Sequence, residues 1–277
     1  MVAKELIYTL CKIKRKRLNM NISVIGCGVM GSAFAKHFAK KYAVTVCDHD
    51  LHRMQALAKE IGGKYQGNVQ DAIQDADVIL LAVKPKDLAT VAKSMTFNKE
   101  KILISILAGT PISALKSHFP KALVVRAMPN LALTCGQGVI GLVDDYDLSD
   151  DVKKKVESVL QGMGLYAWMN ESKVEALTAL SGSGIAFVLL MIEAMIDGGV
   201  FLGFNAKESR EFVLKTMDGA VALMREHGKH PAELKQQIAS PAGTTIAGLK
   251  VMEEKGIRSG IFHTLIASYE KALSMKQ

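Results

Sequence analysis

The sequence predicts an α/β fold with a doubly wound, mostly parallel sheet, followed by a second domain made only of helices. Up to about residue 171, short strand-like runs that are apolar throughout alternate with helical patterns, as in buried parallel sheets. From residue 172 onward, the apolar patterns repeat only with the period of a helix. We therefore divide the 277 residues into a basic extension at 1–19, an α/β domain at 20–171 and a helical domain at 172–277.

Strands and helices alternate regularly in the α/β domain. The predicted strands lie at 21–26, 43–48, 77–83, 101–107, 123–127, 139–143 and 165–169. The predicted helices lie at 32–41, 51–61 and 149–160. Strands joined in this way by helices form a parallel sheet, and we expect the last two strands at one edge.

Six helices are predicted in the second domain. They lie at 173–180, 185–202, 207–226, 231–238, 245–254 and 257–274, with a break at Gly182 and Gly184 between the first two. Three of them are apolar over most of their circumference, which is typical of buried helices. A domain of this size has little core of its own, so we expect a second copy of the chain to supply part of that burial.

The basic charge is concentrated at the N-terminus. Of the formal net charge of +8, +5 falls in residues 1–19, where six Lys and Arg residues outnumber one Glu. The rest of the chain is mildly basic, so its charge gives no reason to expect a nucleic-acid partner. We expect the extension to be disordered and the functional chain to begin at Met20.

Cysteine and histidine usage indicates a reduced protein without a metal site. The four cysteines form no CxxC pair, and Pro231 prevents a helix from aiming His227 and His230 together. The most apolar run, at 185–192, is too short to cross a membrane and ends before Glu193. We expect a cytoplasmic protein with no metal, no membrane contact and no nucleic-acid partner.

A glycine-rich motif with the spacing G-x-G-x-x-G follows the first predicted strand and opens a helix. It consists of Gly26, Cys27, Gly28, Val29, Met30 and Gly31. In this motif Gly26 allows a tight turn, Gly28 lets the backbone approach a pyrophosphate, and Gly31 lets helix and strand pack closely. Free N–H groups and the helix dipole then bind the phosphates of a dinucleotide. The alternative is a tight turn with no ligand.

Asp48 lies 22 residues after Gly26, at the end of the second predicted strand. An acidic residue at this position hydrogen-bonds the ribose hydroxyls of NAD and repels the 2′-phosphate of NADP. His49 and Arg53 follow, and Arg53 could bind a phosphate, so the choice of cofactor stays open. The alternative role for Asp48 is to cap the helix that begins near Leu51.

Three further strand ends carry small or polar residues at the edge of the sheet where ligands bind. They are Ala82, Val83, Lys84 and Pro85 after one strand, Ala108 and Gly109 after the next, and Asn130 after the third. Together with the glycine-rich motif they predict one cofactor cleft. For Lys84, an ordinary surface position is the alternative.

Residues 240–249, SPAGTTIAGL, carry the clearest polar signal of the second domain. Ser-Pro followed by Gly-Thr-Thr at a helix start offers free backbone N–H groups and two hydroxyls, which suit a small carboxylate. Residues 181–184, SGSG, form a second polar and flexible segment before an apolar helix. Ordinary helix capping by Ser and Thr is the alternative for both segments.

Over about residues 20–275 the chain resembles the pyrroline-5-carboxylate reductase family. The matching motifs occur in the family's order: GCGVMG at 26–31, AVKP at 82–85, LAG at 107–109, RAMPN at 126–130, ALSGSGIAF at 179–187, DGGVFLGF at 197–204 and HPAELKQQIASPAGTTIAGL at 230–249. The resemblance implies reduction of 1-pyrroline-5-carboxylate to L-proline by NADH or NADPH, the last step of proline biosynthesis. It also implies a Rossmann domain and a helical dimerisation domain, in a homodimer or homodecamer.

The resemblance further assigns roles to individual residues. Thr245 resembles the threonine that hydrogen-bonds the ring nitrogen, and the backbone of Gly243 and Thr244 resembles the carboxylate site, with Ser240 and Ser183 beside it. The positions that resemble cofactor contacts are Gly26 to Gly31, Asn68, Ala82 to Pro85, Ala108 and Gln237. Because a protonated imine is already electrophilic, such a site needs no His–Asp pair and no catalytic Lys.

Four positions depart from the family pattern. Ile185 stands where the family usually has Pro, and Ala242 stands where it usually has Gly. If residue 242 requires a positive φ, Ala costs about 1 kcal/mol there. Asp48 and His49 replace the Asn-Arg often found, which argues against a strong preference for NADPH.

Two other functions remain as alternatives. One is another Rossmann-plus-helical dehydrogenase or imine reductase that acts on a small carboxylate, and the other is a non-catalytic NAD-binding regulator. The β-hydroxyacid dehydrogenases carry a catalytic Lys on the long helix after a Gly-rich segment, and residues 185–195 contain none. The Gly-Thr-Thr segment argues against a regulator.

Overall fold

The computed structural model describes residues 20–275, so the extension at 1–19 lies outside the described residues. The chain divides into two compact units, one formed by the residues up to Thr178 and from Ala272 onward, the other by Ala179–Lys271. The first unit contains the sheet and its helices, and the second is helical. The predicted fold class is confirmed.

An eight-stranded sheet forms the first unit. Its strands are β1 (Asn21–Ile25), β2 (Ala43–Cys47), β3 (Lys64–Tyr65), β4 (Val78–Leu81), β5 (Lys101–Ser105), β6 (Ala122–Pro129), β7 (Gly138–Val143) and β8 (Gly164–Met169). They lie in the order β3-β2-β1-β4-β5-β6-β7-β8, and only β6 and β7 pair antiparallel. The chain therefore winds outward from β1 in both directions, and the reversal beside β1 creates the crevice in which such sheets bind ligands.

Within residues 20–275, seven α-helices accompany the sheet. They are α1 (Val29–Phe38), α2 (Leu51–Ile61), α3 (Val69–Ile73), α4 (Leu88–Lys93), α5 (Ile112–His118), α6 (Asp150–Leu160) and α7 (Val174–Leu177). Helix α2 has its predicted bounds because Asp50 caps its first turn and Gly62, at φ 60°, ends it. Helix α1 begins three residues before the predicted start, since the last residues of the glycine-rich motif already form its first turn. The two-residue β3 and the short α3, α4 and α5 were not predicted, because such lengths show no clear period.

Apolar side chains cover both faces of the sheet. In β4, Val78 and Leu80 pack into the cluster on one face, and Ile79 and Leu81 pack into the cluster on the other. This arrangement explains the unbroken apolar runs in the sequence, because alternate residues of a central strand point to opposite, equally buried faces.

A buried ion cluster ties β6 to the segments on either side of it in sequence. Arg126 is 2% exposed, and its guanidinium bonds Glu171 Oε1 at 2.7 Å and Glu175 Oε1 at 3.1 Å. The same Glu171 oxygen accepts the N–H of Ile112 at 2.7 Å, at the start of α5. Buried charges persist only when paired, so these contacts fix the loop before α5 and the turn before α7 against β6.

The remaining helices are α8 (Gly184–Phe201), α9 (Ala206–His227), α10 (Pro231–Ile238), α11 (Thr244–Glu254) and α12 (Ile257–Ser274). Their bounds agree with the predicted ones to within one residue. The predicted break at Gly182 and Gly184 is wrong, since a π-helical segment, Thr178–Ser183, joins α7 to α8. A π-turn widens the helix without interrupting it, and glycines without side chains fit such a turn.

Close contact holds α8 against α9. The hydroxyl of Ser209 donates to the carbonyl of Ile196 at 2.7 Å, and a Cβ at Gly199 would collide with Ser209. Asn205 and Glu208 form a capping box at the start of α9. Glycine at 199 is therefore required for the approach of the two helices.

Helix α8 is apolar but exposed within a single chain. No residue of α8 is buried, and Leu190 and Phe201 are 65% and 91% exposed. Among the described residues, the helical stretch Glu171–Phe201 is long and apolar enough to cross a membrane by length and composition, a property that core helices of soluble proteins share. The prediction that no run is long enough was wrong, because the helix continues through Glu193. Such a surface requires cover from outside the single chain.

Candidate functional site

The glycine-rich motif, Asp48 and Ala82 meet where β1, β2 and β4 end. In the sheet register, Ile25 of β1 lies beside Cys47 of β2 and Leu81 of β4. The N–H of Gly26 donates to Cys47 O at 2.8 Å, and the N–H of Ala82 donates to Ile25 O at 2.8 Å. The glycine-rich motif, the end of β2 and the end of β4 are therefore adjacent, as the sequence predicted.

The three motif glycines meet different surroundings. Gly26 has φ +101°, and a Cβ on it would lie 2.5 Å from the carbonyl oxygen of Ala82. A Cβ on Gly31 would overlap the carbonyl oxygen of Gly26, whereas a Cβ on Gly28 would have nothing within 4 Å. The fold itself requires glycine at 26 and 31. At Gly28 the backbone faces open space, where a ligand can approach it.

The start of α1 fits a dinucleotide. Gly28 is its N-cap residue, has extended backbone and contributes no side-chain capping bond. The first N–H groups of the helix therefore have no side-chain acceptor, and they suit the phosphates of a dinucleotide. Val29, at 71% exposure, and the half-buried Met30 belong to the same first turn.

Asp48 is turned inward at the end of β2. Its side chain is 4% exposed, and its oxygens accept the N–H of Cys27 at 2.5 Å and the N–H of Asp50 at 2.9 Å. The ring of His49 lies 3.2 Å from Asp48 Oδ1 and is 91% exposed. The alternative role of Asp48 as the cap of α2 is wrong, because Asp50 accepts the N–H of Arg53 there.

Two cysteines lie beside this loop and stay protonated. Burial, with the charge of Asp48 as the second cause, raises the pKa of Cys27 to about 12 and that of Cys47 to about 11. Both are neutral packing groups at physiological pH, since only the thiolate is a nucleophile or metal ligand. No three His, Cys, Asp or Glu side chains within residues 20–275 come together as a metal site.

Other predicted cofactor residues also hold backbone. Asn68 caps α3, its Oδ1 accepting the N–H groups of Gln70 at 2.8 Å and Asp71 at 3.3 Å. Asn130 is 6% exposed, and its Oδ1 accepts the N–H of Val139 at 3.0 Å. Ala82 and Val83 are half-buried at the end of β4, and Lys84, Pro85 and Ala108 are exposed after β4 and β5. Their cofactor contacts remain predictions.

The second predicted site lies at the turn between α10 and α11. The N–H of Gly243 donates to Ser240 O at 3.1 Å, and Gly243 starts α11 without a side-chain cap. Ala242 has φ 56° and is the one non-glycine residue with positive φ in the described part of the chain. The N–H groups of the first turn, at Thr244 and Thr245, thus lack a side-chain acceptor, as a carboxylate site requires.

The remaining residues of this prediction occupy the same helical unit. Thr245 and Ser183 are half-buried, whereas Ser240, Thr244 and Gln237 are exposed. Ser183 has helical backbone at the end of the π-segment. π-segments occur often at functional sites, a signal that the sequence pattern did not show.

A cleft of about 560 Å³ lies beside the turn, between α10 and α11. Ala242 and Gly243 line it together with the charged residues Lys235, Lys250 and Glu253, and Thr245 does not. The cleft lies along the face of α11 that carries Ile246, Ala247 and Lys250. Thr245 does not lie on this face, so the cleft is separate from the place where Thr245 is predicted to hydrogen-bond the substrate. Sequence reasoning missed its two lysines, because they become neighbours only when α10 packs on α11.

The two halves of the chain match different family models. Residues 171–275 match pyrroline-5-carboxylate reductase dimerisation, and residues 21–109 match NADP oxidoreductase, coenzyme F420-dependent. A pyrroline-5-carboxylate reductase of Aquifex aeolicus is 36% identical over 259 residues, which cover 92% of this chain and 97% of the relative.

Solved structures of pyrroline-5-carboxylate reductases are similar to this chain over nearly its whole length. One from Coxiella burnetii superimposes with a TM-score of 0.84 at 27% identity, covering 94% of this chain and 100% of the other. One from Plasmodium falciparum, with NADP bound, superimposes with a TM-score of 0.82 at 26% identity, with 94% and 100% coverage. Similarity of this extent includes both units.

The glycine-rich motif gives a matched pair of substitutions. Gly31→Ala places a methyl group against the Gly26 carbonyl and should cost about 1–3 kcal/mol of stability, whereas Gly28→Ala meets open space. We expect thermal unfolding of the free protein to show a lower Tm only for Gly31→Ala. Fluorescence titration should show weaker binding of NADH to Gly28→Ala, and unchanged binding there would remove Gly28 from the cofactor site.

The backbone at residue 242 predicts a stabilising substitution. A left-handed conformation costs an L-residue about 1–2 kcal/mol, and glycine loses about 0.5–1 kcal/mol through its freedom in the unfolded chain. Ala242→Gly should therefore raise the free energy of unfolding by up to about 1 kcal/mol in denaturant titrations. Ala239→Gly is the control, since Ala239 has φ −86°, and it should lower that energy. Equal destabilisation by both would contradict strain at Ala242.

Proposed function

Because the chain belongs to the pyrroline-5-carboxylate reductase family, we propose that its two sites divide the reaction between them: the glycine-rich edge of the sheet binds the cofactor and the turn before α11 binds the imine. The chain is an oxidoreductase that reduces 1-pyrroline-5-carboxylate, and L-proline is the product. The single observation that supports the assignment of the sites is the uncapped start of two helices, α1 and α11, each behind a glycine-containing turn.

The residues act by binding and orientation. The first N–H groups of α1 would hold the pyrophosphate, which can approach the backbone closely at Gly28 because Gly28 has no side chain. The N–H groups of Thr244 and Thr245 hold the substrate carboxylate, with Ser240 and Ser183 beside them, and the hydroxyl of Thr245 hydrogen-bonds the ring nitrogen. The bound nicotinamide supplies the hydride. Since the protonated imine is electrophilic, orientation provides most of the catalysis.

Thr245 is the one proposed catalytic side chain, and its removal tests the substrate site. A lost hydrogen bond is worth about 0.5–3 kcal/mol, so Thr245→Ala should lower kcat/KM for the imine roughly 2- to 150-fold. The dissociation constant of the cofactor should change little, because Thr245 lies outside the glycine-rich edge of the sheet that is proposed to bind it. Steady-state kinetics and cofactor titration measure the two effects.

Thr216→Ala is the matched control for this substitution. The Thr216 hydroxyl is exposed and donates to Phe212 O within its own helix, α9. Its removal should leave kcat/KM unchanged. If Thr245→Ala behaves like Thr216→Ala, then Thr245 takes no part in the reaction.

For the cofactor, we propose that NADH is used at least as well as NADPH. Asp48 and Asp50 place two carboxylates at the end of β2, beside the expected adenosine ribose. The 2′-phosphate of NADPH adds up to two negative charges, and two unit charges about 4 Å apart repel by about 1 kcal/mol in water and more where water is excluded. Arg53 pairs with Asp50 at 3.3 Å and adds a positive charge, so the effect is a preference.

Steady-state kinetics of the wild-type protein with both cofactors test this preference. We expect kcat/KM for NADH to equal or exceed that for NADPH, because the local carboxylates outnumber the guanidinium. A tenfold preference for NADPH would show that the charges at the end of β2 do not select the cofactor.

We also propose that the chain forms a homodimer through its helical unit, with a homodecamer as the larger assembly. The support is the exposed apolar surface of α8 together with the dimerisation family model over residues 171–275. A second copy covers such a surface more readily than lipid, because Glu193 and Asp197 would be costly in a bilayer. Light scattering should give at least twice the 30.0 kDa of one chain, and a folded, active monomer would contradict the proposal.

The proposed location is the cytoplasm, with the small-molecule imine and a second copy of the chain as partners. Cys27, Cys47 and Cys135 are all free thiols, as expected of proteins in reducing compartments. Neither a nucleic acid nor a membrane is needed for this function.

A further inference from the structure

The carboxylate of Asp48 is hydrogen-bonded to the glycine-rich loop, and little of it faces the cleft. Oδ2 accepts the N–H of Cys27 at 2.5 Å, and Oδ1 accepts the N–H of Asp50 at 2.9 Å. His49 covers Oδ1 at 3.2 Å, and only 4% of the Asp48 side chain is exposed. Each oxygen therefore has a partner within the protein, and little of the carboxylate is presented to a ligand.

The peptide groups around Cys27 are held on both sides. Asp48 binds the N–H of Cys27, and the hydroxyl of Ser32, on α1, donates to the carbonyl oxygen of Cys27 at 2.9 Å. Cys27 lies between Gly26 and Gly28, which contribute no side chain to fix the turn. A turn with two glycines loses much conformational freedom when it orders, so bonds that fix it beforehand favour phosphate binding.

We propose that Asp48 is a positioning residue, which holds the Cys27 peptide and thereby keeps the glycine-rich loop in its phosphate-binding shape, without a direct bond to the adenosine ribose. The proposal rests on the proposed use of this loop by a nicotinamide dinucleotide. A bond from a backbone N–H to an ionised carboxylate is charge-assisted and roughly twice as strong as a neutral one. This anchor links the end of β2 to the loop after β1.

The side chains exposed beside the ribose position are then His49 and Arg53. His49 is 91% exposed and Arg53 is 50% exposed, whereas Asp48 is covered. Asp48 contributes its charge to the choice of cofactor, as proposed above, but its hydrogen bonds serve the loop. The two effects are separable, because charge changes the ratio of NADH to NADPH binding and the loop anchor affects both cofactors alike.

The decisive experiment is a double-mutant cycle in which the Asp48 side chain and one ribose hydroxyl of the cofactor are altered separately and together. The dissociation constants of NADH and of NADH lacking the 2′-hydroxyl of the adenosine ribose are measured by fluorescence titration, on the wild type and on Asp48→Asn. The side-chain amide that this substitution introduces has no charge and one acceptor oxygen in place of two, so the charge-assisted bond to the N–H of Cys27 is either replaced by a neutral bond or lost. The loss of one such charged bond corresponds to weaker binding by about 10- to 150-fold.

We expect Asp48→Asn to weaken both forms of the cofactor by the same factor, within about twofold, because the anchor does not involve the hydroxyl. If the weakening is confined to the form with the 2′-hydroxyl, Asp48 binds the ribose directly and the proposal is overturned. The same holds if Asp48→Asn binds both forms as tightly as the wild type. A wild type that binds neither NADH nor NADPH would instead refute the proposed cofactor.

A second readout uses the free protein. Hydrogen exchange at the Cys27 amide should be faster in Asp48→Asn than in the wild type, because that N–H loses its ionised acceptor. Ser32→Ala removes the other bond to the Cys27 peptide and should weaken both cofactor forms equally, which keeps the proposal testable if Asp48→Asn does not fold. If Ser32→Ala leaves both affinities unchanged, the fixed loop is not needed for binding and the proposal fails.

Asp75→Asn is the matched control. It makes the same change from an exposed carboxylate to an amide just before β4, at the end of the sheet opposite the glycine-rich loop. We expect the affinity for NADH to change less than about threefold and exchange at Cys27 to stay at the wild-type rate. An effect equal to that of Asp48→Asn would show that charge alone, and not the bond to Cys27, is responsible.

Discussion

The close contact between the glycine-rich turn and the end of β4 is the constraint on which the first unit depends. Gly26 can pass beside the carbonyl of Ala82 for two reasons. It has no Cβ that would collide with the carbonyl oxygen, and glycine readily adopts the φ of +101° found there. Gly31 can then pack α1 onto the same turn. Without these two contacts, α1 could not start directly at the end of β1, and its N–H groups would not point to the crevice where the strand order reverses.

Polar side chains at this edge of the sheet form hydrogen bonds with the protein's own backbone in the absence of any ligand. Asp48 holds Cys27, Asn68 starts α3, and Asn130 bonds the strand that follows it. Arg126 is the buried cation of the same edge, and its two glutamates secure the segments around β6. A cofactor site built in this way is ordered in advance, which reduces the entropy that binding must overcome.

The helical unit differs from the sheet edge, because two of its features are energetically unfavourable within a single chain. Ala242 keeps a left-handed backbone that glycine would adopt more easily, and α8 leaves large apolar side chains uncovered. Strained or exposed features persist where function requires them. Here they coincide with the proposed carboxylate turn and with the region that matches a dimerisation family model.

The sequence by itself determined the fold class, the bounds of most strands and long helices, and the roles of Gly26 and Gly31. These follow from short-range chemistry, since period, capping and the absence of a Cβ are properties of neighbouring residues. The resemblance raised a positive φ at residue 242 as a condition, and the structure has φ 56° there.

Only the tertiary structure decided which groups those residues meet. The sequence placed Asp48 at the end of a strand, but the pairing of β1 with β2 turned its carboxylate onto Cys27. The ion cluster of Arg126 and the cleft between α10 and α11 join residues that are far apart or on different helices, and the π-segment depends on how one helix accommodates its glycines. Such contacts are long-range, and no periodic pattern in the sequence encodes them.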